Sequence, residues 1–283
     1  MTRRTPPVFL LLVLVGLGAC GAPAPVAAPP PAATVEVATS PTPTPEAYTL
    51  TVYAAASLTD GFTEIGQAFE AANPGARVVF NFAGSQALRT QIEEGARADV
   101  FASANTKEME ALAAGGNLSG EALPFVTNLL TIIVPADNPA QLMTPQDLAL
   151  PGLKLVLAAE EVPVGMYARQ ALDNMQALYG DGYREAVLAN LASNEDNVKQ
   201  VVAKVQLGEA DAGIVYETDA LASPELGKIE IPGKANVVAV YPIAVLAGSA
   251  QPDEAQAFID FVLSDAGQAL LRARGFRPPV PPS

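Results

Sequence analysis

The sequence predicts an α/β fold of two doubly wound lobes, and three observations carry that prediction. From Tyr48 onward, apolar β-rich runs alternate with segments of helical period, the pattern of βαβ units. The alternation restarts partway along, after an apolar run near residue 130, and a second long apolar run lies near residue 240. Half of the 283 residues are apolar and 16% are charged, enough apolar surface for one large core or two modest ones. Two restarts joined near 130 and 240 predict lobes at 48–127 with 241–279 and at 128–240, with a cleft between them. In open α/β sheets ligands bind beyond the carboxyl ends of the strands, so both lobes offer loops to that cleft.

In chain order, the first half of Tyr48–Asp60, with Leu50, Val52 and Tyr53, reads as a buried strand, and after three alanines Ser57-Leu58-Thr59-Asp60 has the form of a capping box ahead of a helix to Ala72. Asn73-Pro74-Gly75 stops that helix, Arg77–Phe82 is the second strand, and Gly84-Ser85 opens a helix with Leu88 and Ile92 on one side. Ala98–Ser103 is a third strand and Lys107–Ala113 a third helix. Leu129–Val134 is an apolar strand closed by Pro135, Thr144–Asp147 caps a short helix, and Leu153–Ala158 is a strand. Helices follow at Met166–Leu178 and about Tyr183–Leu191. Asn194–Asn197 supplies caps for a helix whose Val198, Val201, Val202 and Val205 lie at i, i+3, i+4 and i+7, and Ala212–Tyr216 is the strand after it. Pro242 interrupts Val237–Leu246, which reads as a crossing segment rather than a central strand. Two closing helices span Glu254–Arg274.

Ahead of the fold, Arg3 and Arg4 precede an apolar run, Val8–Leu17, of signal-peptide length. Leu17-Gly18-Ala19-Cys20 ends at the single cysteine and resembles a bacterial lipoprotein signal, in which residues 1–19 are removed and Cys20 carries lipid. Residues 20–47, rich in Pro, Ala and Thr, predict a stiff tether. The expected location is the outer face of the cytoplasmic membrane, held by lipid alone, or the periplasm if the signal is an ordinary secretory one and the thiol incidental.

Composition excludes much chemistry. The formal charge of −14 repels nucleic acid and anionic membranes. With no histidine there is no Ser-His-acid triad and no His-ligated metal, and the folded part has neither a thiol nor a Gly-Lys-Ser/Thr phosphate loop. What remains are strand-to-helix junctions, where unpaired N–H groups of a helix N-terminus suit an anion. Ser57 and Ser85 occupy such junctions in the first half, Val164 and Val198 in the second, and Tyr216 ends the AGIVY strand. Taken singly, each serine is also a plain N-cap, each valine core, and the tyrosine packing.

Five stretches in order, VYAAASLTD (52–60), FAGSQALRTQIEEGARADVFASA (82–104), VPVGMYARQAL (162–172), EDNVKQVVAKVQLGEADAGIVYETDA (195–220) and YPIAVL (241–246), resemble the molybdate-binding proteins of ABC importers, which are two-lobed (type II) periplasmic binding proteins. The resemblance implies a non-enzymatic receptor for molybdate or tungstate, without cofactor and monomeric, that delivers its ion to a permease and an ATPase. It implies that the oxyanion is held by the hydroxyls and N–H groups of Ser57 and Ser85, the N–H groups of Val164 and Val198, and the Tyr216 hydroxyl. Two positions depart from the pattern: Val164 stands where alanine is common, and Gly84 where a second serine often lends a donor. The same lobes serve a sulfate or phosphate receptor, or a ligand-sensing module. A hydrolase using Ser57 or Ser85 has no base to serve it.

Overall fold

Strand pairing sorts the chain into two five-stranded sheets. The computed structural model describes residues 47–279; the expected export signal, Cys20 and all of the expected tether but Ala47 lie outside the described residues. The order of elements is β1 (Tyr48–Ala55), α1 (Thr59–Ala72), β2 (Ala76–Ala83), α2 (Ser85–Glu93), β3 (Val100–Ala102), α3 (Thr106–Ala114), β4 (Leu123–Asn128), β5 (Leu130–Val134), β6 (Leu155–Ala158), α4 (Pro163–Tyr179), α5 (Tyr183–Ala189), β7 (Leu191–Glu195), α6 (Val198–Gln206), β8 (Ala212–Tyr216), α7 (Glu217–Leu221), β9 (Gly227–Glu230), β10 (Ala239–Val245), α8 (Pro252–Leu263) and α9 (Asp265–Ala273). No helix among them is long and apolar enough to cross a membrane.

The first sheet runs β2-β1-β3-β10-β4 and the second β7-β6-β8-β5-β9. Each has a parallel trio at one side, and a fourth strand antiparallel to both of its neighbours. The sheets are therefore mixed, where the alternation alone predicted parallel ones. The antiparallel fourth strand is in each case the one delivered from the other lobe: β5 follows β4 directly, and β10 returns after β9. Asn236 fastens the two crossings together, its amide accepting from Leu130 N–H at 3.0 Å and donating to Leu130 O at 2.8 Å.

Several local expectations need correction. Val237–Leu246 is not merely a crossing segment: β10 begins at Ala239, two residues before the expected return at Tyr241, and is an interior strand. Pro242 is tolerated because the register against β4 shifts between Tyr241 and Pro242, where a missing N–H breaks no ladder bond. The strands β4, β7 and β9 were not anticipated. All three are edge strands; β7 and β9 each bury a single residue, and in β4, which buries its last four residues, Pro124, Thr127 and Asn128 leave no apolar run. Residues 194–195, read as caps, lie in β7; only Asn197 caps α6, accepting from Gln200 N–H.

Helix α1 seats Phe62, Ile65 and Phe69 in the core of the first lobe. The Phe62 ring lies 5.7 Å from Phe125 and 6.2 Å from Phe258, and Phe69 meets Phe258 edge-on at 5.3 Å. Each such ring removes on the order of 150–250 Å² from water. Helix α6 does the same for the second lobe with Val198, Val201, Val202 and Val205.

Candidate functional site

The parallel strands of both sheets end at one place. Ala55 lies opposite Ala83 at the close of β1 and β2, so Ser57 and Ser85, each two residues further on, emerge side by side. In the second sheet Ala158 lies opposite Glu195, and the chain continues into the starts of α4 and α6. The alanines matter because they let helix starts approach without side chains between them. Gly165 serves the same end: a Cβ there meets Ala159 O at 2.0 Å, so only glycine lets α4 turn so tightly off its strand.

Ser57, Ser85, Val164, Val198 and Tyr216 all line one cavity, together with Ala55, Gly84, Ala104 and Asn197. Its volume of about 10 Å³ compares with the roughly 10–15 Å³ that a single water needs, so it fits one compact group. None of the residues lining it is charged. The first turns of α2, α4 and α6 face it, so N–H groups lacking intrahelical partners come from both lobes.

The hydroxyls show how the site is poised. Ser57 does not form the expected capping box: it sits in a short 3₁₀ turn before α1, and its Oγ lies 3.0 Å from the Tyr241 hydroxyl. Ser85 Oγ accepts from Ala104 N–H at 3.0 Å, which leaves its own proton free. Tyr216 is 1% exposed, and its hydroxyl makes no hydrogen bond of full geometry, the Tyr241 hydroxyl standing near enough only to influence it. Burial pushes the Tyr216 phenol well above its ordinary pKa, so it keeps its proton. Sequence reasoning missed Tyr241 as a neighbour of the site. Its signal lay in the YPIAVL stretch, hidden inside an apolar strand.

The lobes touch around this cavity. Gln86 donates to Asp196 O at 3.3 Å, and Lys199 Nζ lies 3.1 Å from Asp60 across the lobes and 3.2 Å from Asp219 on its own side. Burial lowers the Lys199 pKa, but the two carboxylates more than offset this and leave it raised. Burial raises that of Asp219, and Lys199 only partly opposes the shift. The lobes also approach closely at Gly84, where a Cβ would meet Asp196 O at 2.6 Å.

Two α/β lobes closed over a buried cavity of neutral donors define a solute-binding protein of the two-lobed type. The chain belongs to the family described as Bacterial extracellular solute-binding protein, which it matches over residues 50–277. It is 41% identical over 234 residues to the Molybdate-binding protein ModA of Mycobacterium bovis, spanning 82% of this chain and 86% of that one. Its structure is similar to the periplasmic molybdate-binding protein of Azotobacter vinelandii, with a TM-score of 0.71 at 20% identity over 83% of this chain and 100% of that one. It is similar also to the sulfate-binding protein SubI of Mycobacterium tuberculosis, with a TM-score of 0.72 at 20% identity over 82% and 88%. At such identities these two likenesses speak for the fold alone.

Proposed function

We propose that this chain captures molybdate, or the closely similar tungstate, between its lobes and delivers it to an ABC importer. The observation that carries the reading is the Tyr216 hydroxyl, fully buried and unpartnered at a cavity with no charged lining. An orphaned buried hydroxyl costs about 1–3 kcal/mol, which a ligand with acceptors on every side recovers. A tetrahedral dianion has only acceptors, and Ser57, Ser85 and Tyr216, with the N–H groups of Val164 and Val198, present donors. Hydrogen bonds to a charged group contribute roughly 1.5–3 kcal/mol each, so such a set supports nanomolar affinity, about −12 kcal/mol, after desolvation. The cargo itself is supported by the 41% identity to a molybdate-binding protein.

The same geometry argues against hydrolysis, since the partners of the two serines are a phenol and a backbone N–H, neither of them a base. Lipid attachment at Cys20, a monomeric state, and permease and ATPase partners complete the reading, the first from the sequence and the others from the resemblance. Sulfate presents the same charge and acceptors, so the choice between the ions falls on cavity size. A thermal-shift series with molybdate, tungstate, sulfate and phosphate tests it: an ion at a hundred times its Kd adds about 2.7 kcal/mol. Stabilisation by molybdate and tungstate is the expected result, whereas stabilisation by sulfate or phosphate alone moves the cargo.

A further inference from the structure

We propose that Tyr241 is a positioning residue for the oxyanion site: its phenol donates to Ser57 Oγ and thereby turns the Ser57 proton into the cavity. The inference rests on the anion-binding reading and adds to it a residue outside the cavity lining. The Ser57 Oγ and Tyr241 Oη atoms are 3.0 Å apart and both buried, so distance alone permits either to donate. Ser85 shows which direction the site requires. Its oxygen accepts from Ala104 N–H, an unambiguous donor, so the Ser85 proton has nowhere to go but the cavity. For Ser57 the equivalent arrangement exists only if Tyr241 donates. The reverse turns a lone pair toward a dianion, the one contact such a ligand repels.

Tyr241 is built for the task. It is 0% exposed on β10, directly before the register shift at Pro242. Its ring is held edge-on by Phe125 at 6.4 Å and by Phe276 at 5.7 Å. It also packs edge-on against Tyr216 at 5.8 Å. One side chain on the returning strand therefore supports a donor from each lobe, Ser57 through its hydroxyl and Tyr216 through its ring. Burial raises the Tyr241 pKa and keeps the proton in place.

Tyr241→Phe retains the ring and removes only the donor. Calorimetric titration of the wild type, Y241F, S57A and the double variant with molybdate then forms a double-mutant cycle. The expected result is about three- to tenfold weaker binding in Y241F and less than a twofold further change when it is added to S57A. A second readout separates positioning from packing: in Y241F the Ser57 hydroxyl is free to turn and accept, so the preference for molybdate over the protonated hydrogen phosphate ion narrows. Unchanged affinity in Y241F, or an equal loss in both backgrounds, overturns the proposal. A wild type that binds none of the oxyanions overturns instead the reading on which it rests. If Y241F does not fold, 3-fluorotyrosine at 241, a stronger donor of nearly the same shape, is expected to tighten binding, and no tightening overturns the proposal.

Discussion

At the scale of single residues, the site works by fixing which way each polar group points. Ala104 N–H orients Ser85, and burial preserves the Tyr216 proton. Ser85→Ala and Tyr216→Phe each remove one donor to a charged ligand, a loss of about 1.5–3 kcal/mol, so molybdate binding weakens on the order of 10- to 150-fold by calorimetric titration. Binding within twofold of wild type in both variants contradicts their assignment. Gly84 bears on closure. Because a Cβ at 84 meets both Asp196 O and the Gln86 side chain, Gly84→Ala holds the lobes apart, and its effect is expected as weaker binding with little change in unliganded melting temperature. That Ser57, Ser85, Val164, Val198 and Tyr216 lie at strand ends and helix starts was legible in the sequence, but their hydrogen bonds were not. Ser57 reads as a cap because Ser-x-x-Asp is the local pattern, and its actual partner is 184 positions away.

At the scale of elements, the helix starts do two jobs, aiming donors inward and bracing the lobes at their rims. Lys199, next to Val198 at the start of α6, joins Asp60 near the start of α1. The pair is partly exposed, at 35% and 44% for its two side chains, so its value stays near or below about 1 kcal/mol. Asp60→Asn is therefore expected to weaken ion binding no more than about fivefold, with the loss fading at high salt. A salt-independent loss points to repacking of α1. Elsewhere, Met143 and Thr144 N–H groups donate to Asp147 at 2.8 Å and hold its pKa below the usual carboxylate range. A depressed acid stabilises the fold above its unfolded pKa and loses that contribution as pH falls through the folded value. The stability gap between wild type and Asp147→Ala is thus full near neutrality and shrinks below about pH 4, as urea unfolding across pH measures. The strong periodicities of α1 and α6 were legible because burial imposes them. β7 and β9 were not, because each buries a single residue, and β4 was not, because proline and polar residues break its apolar run.

At the scale of the whole molecule, two sheets of matching plan exchange one strand's worth of connection in each direction, and their carboxyl ends meet. Asn236 ties the two crossings together through its two hydrogen bonds to Leu130. Phe62→Ala strips the aromatic cluster of the first lobe and is expected to cost about 3–5 kcal/mol in stability by urea unfolding. The two-lobed plan was legible from two restarts of one alternation. The antiparallel fourth strands were not, since their placement follows from the two crossings, β4 into β5 and β9 into β10, and not from any local pattern.

The central claim is that neutral donors from both lobes, without a counter-cation, hold a tetrahedral dianion. Calorimetric titration of the purified protein with molybdate, repeated in excess sulfate, tests it most directly. The account predicts one ion per chain bound with submicromolar affinity, undiminished by sulfate and strongly weakened by Tyr216→Phe. An absence of binding at micromolar protein, or binding indifferent to Tyr216→Phe, contradicts it.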